Sequence, residues 1–307
     1  MAKKFIICID LGGTNLKVAL LDLNYRIKDR EILSTRSFME KNDLILGIVH
    51  AVTRFIKYNN LSKAQILGVG LGLPGPIDAK SGVVHFFPNI PGWKEVALRY
   101  ILRKKLSLPV SLDNDAKLMA LAEHRLGAAK GYRNVLCMTL GTGIGGGLIL
   151  HNKIYRGFNN AAGEIGHLPI NEKAGAPCNC GRYGCLEAYV GNQRIIKEAR
   201  RVFKRSITLE ELSWLAVKRN KLAIDIWRKT GNHLGFALAG VVNLLNLDAI
   251  IIGGGVAGAG NVLFESIKQA LRDQAMGVQA KHVRLFKAKL GNEAGLIGAA
   301  IMVKEGL

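Results

Sequence analysis

The stretch KFIICIDLGGTNLKVALLDL, residues 4–23, gives the first indication of the fold. Residues 4–11 and 16–23 are rich in the apolar and β-branched residues that favour strands, and Gly12-Gly13-Thr14-Asn15 joins them. This pattern predicts a β-hairpin with a glycine tip. The stretch VLCMTLGTGIGGGLIL, residues 135–150, predicts a second hairpin of the same kind, so the sequence indicates a duplicated architecture.

Strands and helices alternate along the rest of the chain, which indicates α/β layers. The further predicted elements are helix 43–58, strand 66–73, helix 94–106, strand 108–112, helix 116–128, an irregular Gly- and Cys-rich loop at 157–187, helices over about 190–205, 208–219 and 221–246, strand 248–252, helix 261–274, strand 283–288 and helix 292–304. At about 150 residues per domain, a chain of 307 residues predicts two domains. The first boundary is expected near Asp113-Asn114-Asp115.

The composition is that of a folded chain with an excess of positive charge. Hydrophobic residues make up 49% and charged residues 21%, which excludes global disorder. The 43 basic and 23 acidic residues give a net charge of +20, which favours attraction to anions but names no partner. No aromatic residues interleave with the basic clusters, so neither a stacking platform for single-stranded nucleic acid nor another specific nucleic-acid partner is expected.

The beginning of the chain and its cysteines predict a cytoplasmic location. Asp10 interrupts the first apolar run and no small-residue cleavage site follows, so MAKKFIICID is interpreted as a strand and not as a signal peptide. The longest uncharged stretch, 230–247, contains three asparagines and a histidine, so no membrane span is expected. Three of the five cysteines crowd into CNCGRYGC at 178–185, which is typical of metal ligation in a reducing compartment.

Three glycine-rich turns are candidate phosphate cradles, because glycine lets backbone N–H groups converge on an anion. Residues 141–146 and 253–258 both satisfy the G-x-G-x-x-G pattern of dinucleotide-binding folds. A strand follows the first, and no acidic residue lies at the ribose position in 283–288 after the second, so NAD is not favoured. For each turn taken singly, the alternative is an ordinary tight turn.

One histidine and three cysteines have the spacing H-x10-C-x-C-x4-C: His167, Cys178, Cys180 and Cys185. Four nitrogen and sulfur ligands predict a closed, tetrahedral structural zinc site. The alternative is a loop histidine beside reduced, idle cysteines. Cys8 and Cys137 lie in apolar strands and are predicted to be core residues.

The chain resembles the ROK family of repressors, open reading frames and kinases, within the actin/hexokinase-like superfamily. The motifs that carry the resemblance are DLGGTN (10–15), LGLPGPID (71–78), PNIPGW (88–93), LDNDA (112–116), LGTGIGGG (140–147), AGEIGH (162–167), CNCGRYGCLEAYVG (178–191) and IIGGGVAG (251–258). The resemblance implies an α/β, two-domain actin/hexokinase-like (ribonuclease H-like) fold with a duplicated sheet and an interdomain cleft. It also implies a small N-terminal domain, 1–113 plus 290–307, and a larger C-terminal domain, 114–289, that carries the zinc loop.

The kinase branch of the family is the one implied. ROK repressors carry a helix-turn-helix ahead of the first glycine hairpin, whereas that hairpin begins here almost at residue 1. The expected function is an ATP-dependent hexose kinase that transfers the γ-phosphoryl group to the sugar 6-hydroxyl, with glucose as the first candidate and with Mg²⁺ and structural Zn²⁺ as metals. The alternatives are a kinase for N-acetylglucosamine, N-acetylmannosamine or another hexose, a polyphosphate donor, or a non-catalytic sugar sensor. A homo-oligomer, dimer or tetramer, is expected.

The resemblance also implies roles for individual residues. Asp115 corresponds to the base that takes the proton from the sugar 6-hydroxyl, and its alternative role is that of a helix N-terminal carboxylate. The implied sugar-binding residues are Gly75, Asn89, Asn114, Asp115, Glu164, His167 and Glu187. The implied residues of the nucleotide and its Mg²⁺ are Asp10, Gly12, Gly13, Thr14, Gly141, Thr142, Gly143, Gly254 and Gly255.

Overall fold

The structure, a computed structural model, describes residues 3–12, 15–35, 38, 40–87, 90, 93–171 and 175–307. Its elements in chain order are β1 (Phe5–Leu11), β2 (Asn15–Asp22), β3 (Ile27–Ser34), α1 (Lys41–Tyr58), β4 (Ile66–Leu73), β5 (Ile77–Asp78), β6 (Val83–Phe86), β7 (Lys94–Val96), α2 (Leu98–Leu106), β8 (Val110–Asn114), α3 (Asp115–Leu126), β9 (Val135–Leu140), β10 (Ile144–Leu150), β11 (Lys153–Tyr155), α4 (Glu187–Val190), α5 (Asn192–Phe203), α6 (Leu209–Val217), α7 (Lys221–Leu245), β12 (Ala249–Gly253), α8 (Asn261–Gln274), α9 (Gly277–His282), β13 (Arg284–Lys287) and α10 (Ala294–Glu305).

The chain divides into two compact units, each with its own sheet and core. The first unit comprises Met1–Ala122, Arg156–Ala162 and Asn292–Leu307, and the second comprises Glu123–Tyr155 and Gly163–Gly291. The core of the first unit includes Ile48, Leu71 and Leu112, and the core of the second includes Trp227 and Ile250. Both units therefore bury enough apolar surface to form a hydrophobic core of their own.

The two five-stranded sheets have the same topology. The first has the strand order β3-β2-β1-β4-β8 and the second β11-β10-β9-β12-β13. In both sheets the first two pairings are antiparallel and the last two are parallel. Each predicted glycine hairpin forms one antiparallel pair, β1–β2 or β9–β10, so the predicted duplicated α/β architecture is confirmed.

The first unit carries a small antiparallel sheet, β5-β6-β7, that the sequence did not predict. The helix predicted over 94–106 begins only at Leu98, because Lys94 and Val96 pair instead with Phe86 and Val84 of β6. The outer strands β3 and β11 and the short helix α9 were also not predicted. Strand β3 alternates half-buried and exposed residues, as expected of a sheet edge with one solvated face.

Helix α10 packs against the first sheet at very close range. A side chain at Gly70 of β4 would lie 2.5 Å from the carbonyl oxygen of Ala299, and one at Gly298 would lie 2.0 Å from that of Leu118 in α3. Because glycine permits this approach, α10 and the first two turns of α3 belong to the same unit. The division along α3 therefore falls after Ala122, several residues beyond the boundary expected from the sequence.

The second unit begins with a buried carboxylate, that of Glu123. Its Oε1 accepts the backbone N–H groups of Lys289 (2.9 Å) and Leu290 (2.7 Å), and its Oε2 accepts that of Ala128 (2.7 Å). The residue is 0% exposed, so these three bonds replace the water that the carboxylate would otherwise bind. Glu123 thus connects the second half of α3 to Lys289 and Leu290, which shortly precede α10 in the sequence.

No helix in the part of the chain that the structure describes is both long and apolar enough to cross a bilayer.

We expect Glu123→Ala to lower the free energy of unfolding by about 3 kcal/mol or more, because it leaves three backbone N–H groups without their acceptor. Chemical denaturation followed by circular dichroism measures the change. Glu265→Ala is the matched control, since Glu265 is 67% exposed and pairs with Lys268 in the same helix. Equal effects of the two substitutions would contradict this role of Glu123.

Candidate functional site

Parallel pairing brings two acidic segments to the same edge of the first sheet. Gly72 of β4 lies beside Asp10 of β1 on one side and beside Asp113 of β8 on the other. With strands about 4.8 Å apart, the backbones of Asp10 and Asp113 are about 10 Å apart. Asp115 follows β8 directly and opens α3, so both carboxylates assigned to catalysis and to the nucleotide, Asp115 and Asp10, lie at this edge.

Asn114 and Asp115 form the beginning of α3. The Asn114 Oδ1 accepts the N–H groups of Ala116 (3.0 Å) and Lys117 (3.3 Å), which satisfies two free donors at the helix start. Its Nδ2 donates to the carbonyl oxygen of Gly75 at 3.2 Å. The half-buried Asp115 accepts the Ala116 N–H at 2.8 Å through Oδ1. Three of the predicted residues, Gly75, Asn114 and Asp115, are therefore in one local network.

A buried ion pair fixes the end of β8, and the sequence did not predict it. The Asp113 side chain is 1% exposed, and its Oδ2 accepts from Arg156 Nε (3.0 Å) and Nη2 (2.9 Å). Its Oδ1 accepts the Asn114 N–H at 2.8 Å. Arg156 opens Arg156–Ala162, a segment of the first unit that lies in sequence between two parts of the second.

Two further contacts hold the same segment. Asn160 donates through Nδ2 to Asp78 Oδ1 at 2.8 Å, and its carbonyl oxygen accepts from the buried Lys117 ammonium. The hydroxyl of Ser81, followed by the backbone N–H groups of Lys80 and Ser81, lowers the pKa of Asp78. The segment is thus held at both of its ends beside Asn114 and Asp115.

The Asp10 carboxylate lies between a lysine and the start of α10. Lys17 Nζ donates to Asp10 Oδ2 at 3.0 Å and also contacts the carbonyl oxygen of Asn292 at 3.2 Å. A side chain at Gly295 would lie 2.8 Å from the Asp10 carboxyl carbon, so only glycine allows the helix to come this close. In the hairpin turn beyond Asp10, the Gly12 N–H donates to the carbonyl oxygen of Asn15 at 2.8 Å.

The corresponding turn of the second sheet is joined to Glu187. The Gly141 N–H donates to the Gly143 carbonyl oxygen at 2.9 Å across the turn that includes Thr142, and Glu187 Oε2 accepts the N–H of Ile144 at 2.8 Å. A side chain at Gly143 would lie 2.7 Å from that carboxylate oxygen. A predicted sugar-binding residue is therefore in direct contact with a predicted phosphate-binding turn.

Gly254 and Gly255 lie next to the same turn. Gly254 has φ +84°, and a side chain there would lie 2.2 Å from the carbonyl oxygen of Leu140. The first residue of α5, Asn192, donates its N–H to the carbonyl oxygen of Gly141 at 3.1 Å. The carboxyl ends of β9 and β12 and the start of α5 therefore converge within the second unit.

Close backbone packing also positions Glu164 and His167. A side chain at Gly163 would lie 2.6 Å from the carbonyl oxygen of Gly146, and one at Gly166 would lie 2.6 Å from that of Ile144. These glycines let the loop lie directly on β10. The Glu164 side chain is exposed, and His167 ends a short 3₁₀ turn over Ile165–His167.

The four predicted zinc ligands form one cluster, whose ligand atoms all lie within 4.8 Å of one another. Cys180 Sγ and Cys185 Sγ are 3.7 Å apart, and Cys178 Sγ lies 3.6 Å from His167 Nδ1. With Zn–S bonds of about 2.3 Å, two sulfurs of a tetrahedral site lie about 3.8 Å apart. The chemistry and spacing of the donors therefore fit a structural zinc ion.

The thiols of the cluster differ in acidity. Burial, together with the thiols of Cys180 and Cys185, raises the pKa of Cys178 to about 12. Burial, together with the thiol of Cys180, also raises the pKa of Cys185. Burial acts in the same direction on Cys180, but the Arg182 backbone N–H and the other two thiols outweigh it and lower the pKa of Cys180. Cys178 also lies 3.6 Å from Glu187 Oε1, which joins the cluster to the residue that contacts the glycine turn.

Three predicted residues, Gly13, Thr14 and Asn89, lie outside the described residues. The structure adds Asp78, Asp113, Lys117, Arg156 and Asn160, which support the site and to which the sequence analysis gave no role. Asp113 does stand in the motif LDNDA, but its partner Arg156 is 43 positions away in the sequence.

Comparisons with known proteins place the chain among sugar kinases and sugar repressors. Residues 6–306 match the ROK family. A glucokinase from Halalkalibacterium halodurans is 35% identical over an alignment 319 positions long, which covers 99% of this chain and 96% of the relative. A xylose repressor from Caldicellulosiruptor bescii is 27% identical, and the alignment covers 97% of this chain and 77% of the repressor.

Solved structures give the same relationship. The crystal structure of a ROK family glucokinase from Streptomyces griseus, in complex with glucose and AMPPNP, superposes with a TM-score of 0.82 at 30% identity. The match covers 98% of this chain and 100% of that one. The expected ROK-type two-domain α/β fold is confirmed.

We expect purified protein to carry about one zinc ion per chain, because the Cys₃His donor set fits this metal. Cys180→Ser should lower the zinc content, measured by mass spectrometry of the metal. Cys8→Ala should retain it, because Cys8 is buried in β1 outside the cluster. Equal zinc contents in the two variants would contradict the assignment.

We expect Arg156→Met to destabilise the protein by about 3–5 kcal/mol, because it leaves the Asp113 carboxylate buried without its partner. A second substitution, Asp113→Asn, should recover part of this loss by removing the buried charge. Arg201→Met, in an exposed pair with Glu198, is the control and should have little effect. Unfolding in urea measures all three, and an Arg156→Met variant as stable as the control would refute the role given to the pair.

Proposed function

The chain belongs to the ROK family, and on that basis we propose that it is an ATP-dependent hexose kinase acting on the 6-hydroxyl of the sugar, with glucose as the first substrate. The observation that carries the proposal is the position of Asp115. It begins α3 at the same sheet edge as Asp10, next to Asn114, and the buried Asp113 pair fixes the strand that precedes it.

The proposed reaction makes three demands on the protein. The γ-phosphoryl group must be positioned, its charge must be neutralised, and the attacking hydroxyl must lose a proton. We assign the proton transfer to the Asp115 carboxylate, which is hydrogen-bonded to the first turn of its own helix and so has a defined orientation.

We assign the magnesium and phosphate end of the first unit to Asp10 and Gly12. Magnesium in kinases is commonly held by one or two carboxylates together with substrate phosphates and water. A single carboxylate near the end of β1 fits an ion that takes its other ligands from the nucleotide and water. The ion would supply charge neutralisation at the phosphates.

In the second unit we assign the phosphates to Gly141, Thr142 and Gly143 and the adenosine end to Gly254 and Gly255. Their convergence around Gly141 supports this assignment. A side chain at Gly141 or at Gly255 would meet nothing closer than 3.9 Å, so a ligand can approach the backbone of both turns. The AMPPNP bound to the related glucokinase supports a nucleotide as the phosphoryl donor.

Within the second unit we assign the sugar hydroxyls to Glu164, His167 and Glu187. Within the first unit, Asn114 keeps the sugar-binding role that the resemblance implies. His167 faces Cys178 with Nδ1, so Nε2 is the nitrogen that we assign to the sugar. Zinc would hold His167 and the loop that ends at Glu187, and so act as a structural ion. Glu187 Oε1 and Oε2 each have a second lone pair with which to accept a sugar hydroxyl.

A second function, sugar sensing without catalysis, is favoured by one observation, the similarity to a xylose repressor. A sensor needs the sugar-binding residues but not the base. A kinase for an N-acetylhexosamine or another hexose would keep both, and the glucokinase relatives favour glucose among these substrates. A cytoplasmic location and a homo-oligomeric state remain predictions.

We expect Asp115→Asn to lower kcat by about 10²–10⁴-fold, because the amide cannot accept the proton, while the sugar dissociation constant changes by less than about tenfold. Steady-state kinetics and calorimetric titration with glucose give the two quantities. A variant that turns over at the wild-type rate would remove Asp115 from the mechanism.

Glu164→Gln and Glu187→Gln provide the contrast to this variant. We expect both to weaken sugar binding itself, since each replaces an acceptor carboxylate by a neutral amide. If these variants bind glucose as tightly as the wild type, the sugar site does not include them.

A further inference from the structure

The amide of Asn192 contains a buried oxygen without a hydrogen-bond partner. Within the described residues, four buried side-chain atoms lack such a partner: Trp93 Nε1, Arg99 Nε, Trp227 Nε1 and Asn192 Oδ1. The first three are N–H donors, and Asn192 Oδ1 is the one acceptor among them. Buried polar atoms are almost always paired, so an exception at a candidate site indicates a missing ligand group.

Asn192 lies where the residues assigned to the nucleotide converge. Its own N–H donates to the carbonyl oxygen of Gly141, and its Nδ2 lies 3.9 Å from the position that a side chain on Gly255 would occupy. The preceding residue, Gly191, packs against the carbonyl oxygen of Thr142. The backbone contacts at the start of α5 therefore fix Asn192 beside both glycine turns.

The chemistry of the atom limits what can pair with it. An amide oxygen accepts hydrogen bonds and cannot donate them, and phosphate oxygens are themselves acceptors. In the structure the Asn192 amide has Oδ1 buried and Nδ2 toward Gly255, and in this orientation the missing group is a donor. On ATP the donors are the ribose hydroxyls and the amino group of the base, all on the nucleoside half.

We infer that Asn192 is a nucleotide-binding residue whose Oδ1 accepts a hydrogen bond from a donor on the nucleoside half of the phosphoryl donor. The inference rests on the proposed kinase function and extends it, because it makes a nucleoside triphosphate the donor. An inorganic polyphosphate has no group that could satisfy this oxygen.

The first test compares Asn192→Ala with Gln193→Ala, which removes an exposed amide from the next residue of the same helix. Asn192→Ala should raise the dissociation constant of AMPPNP about five- to tenfold, the effect of one hydrogen bond, and Gln193→Ala should change it by less than about twofold. Calorimetric titration measures both. Tripolyphosphate, which lacks the nucleoside, should bind the wild type and both variants equally.

The second test removes the donor from the ligand. Titrations of the wild type with 2′-deoxy-ATP, 3′-deoxy-ATP and inosine triphosphate distinguish the two ribose hydroxyls from the amino group. One of the three analogues should bind the wild type less tightly than ATP does. The same analogue and ATP should bind Asn192→Ala equally tightly, because removing the donor from the ligand and removing the amide from the protein abolish the same hydrogen bond. This arm also tests the inference on the wild type alone, should the variant fail to fold.

The outcomes separate the inference from the function on which it rests. A wild-type protein that binds no AMPPNP contradicts the proposed kinase, and the inference with it. A wild type that binds AMPPNP while Asn192→Ala binds it equally well contradicts the inference alone. If the wild type binds all three analogues as tightly as ATP, the inference alone is likewise contradicted.

Discussion

The buried ion pair between Asp113 and Arg156 is the constraint on which the candidate site depends. Asp113 belongs to the strand that ends in Asn114 and leads to Asp115, and Arg156 opens the segment that precedes Gly163 and Glu164. The Asp113 side chain is 1% exposed and pairs with Arg156 at 2.9 Å, so the two segments must lie side by side. The pair thus fixes the strand end that leads to the residue assigned to proton transfer.

Within the second unit, Glu187 has a comparable role. One of its carboxylate oxygens accepts the N–H that follows the turn Gly141–Gly143, and the other contacts the thiol of Cys178 in the zinc cluster. A metal that orders the cysteine loop would therefore also order a residue in contact with the phosphate turn. Structural zinc would therefore affect the reaction by ordering Glu187 and would take part in no chemical step.

The features that the sequence predicted are those encoded over short distances. Hairpins β1–β2 and β9–β10, the strand before Asn114 and the Cys₃His cluster follow from local patterns or close spacing. The contacts of Arg156 and Asn160 join residues 43 and 82 positions apart, and no local pattern encodes them. The helix expected from residue 94 begins only at Leu98, because Lys94–Val96 pairs with a neighbouring strand. Tertiary pairing therefore overrode local helix propensity.

The central claim is that this site transfers phosphate to a sugar, and incubation of the wild-type protein with ATP, Mg²⁺ and a panel of hexoses and N-acetylhexosamines tests it most directly. Phosphorus NMR of the products identifies both the sugar and the carbon that carries the phosphate. The account predicts a hexose 6-phosphate, formed fastest from glucose. If the protein binds a sugar of the panel but phosphorylates none, the kinase assignment is contradicted and sugar sensing without catalysis is the function that remains.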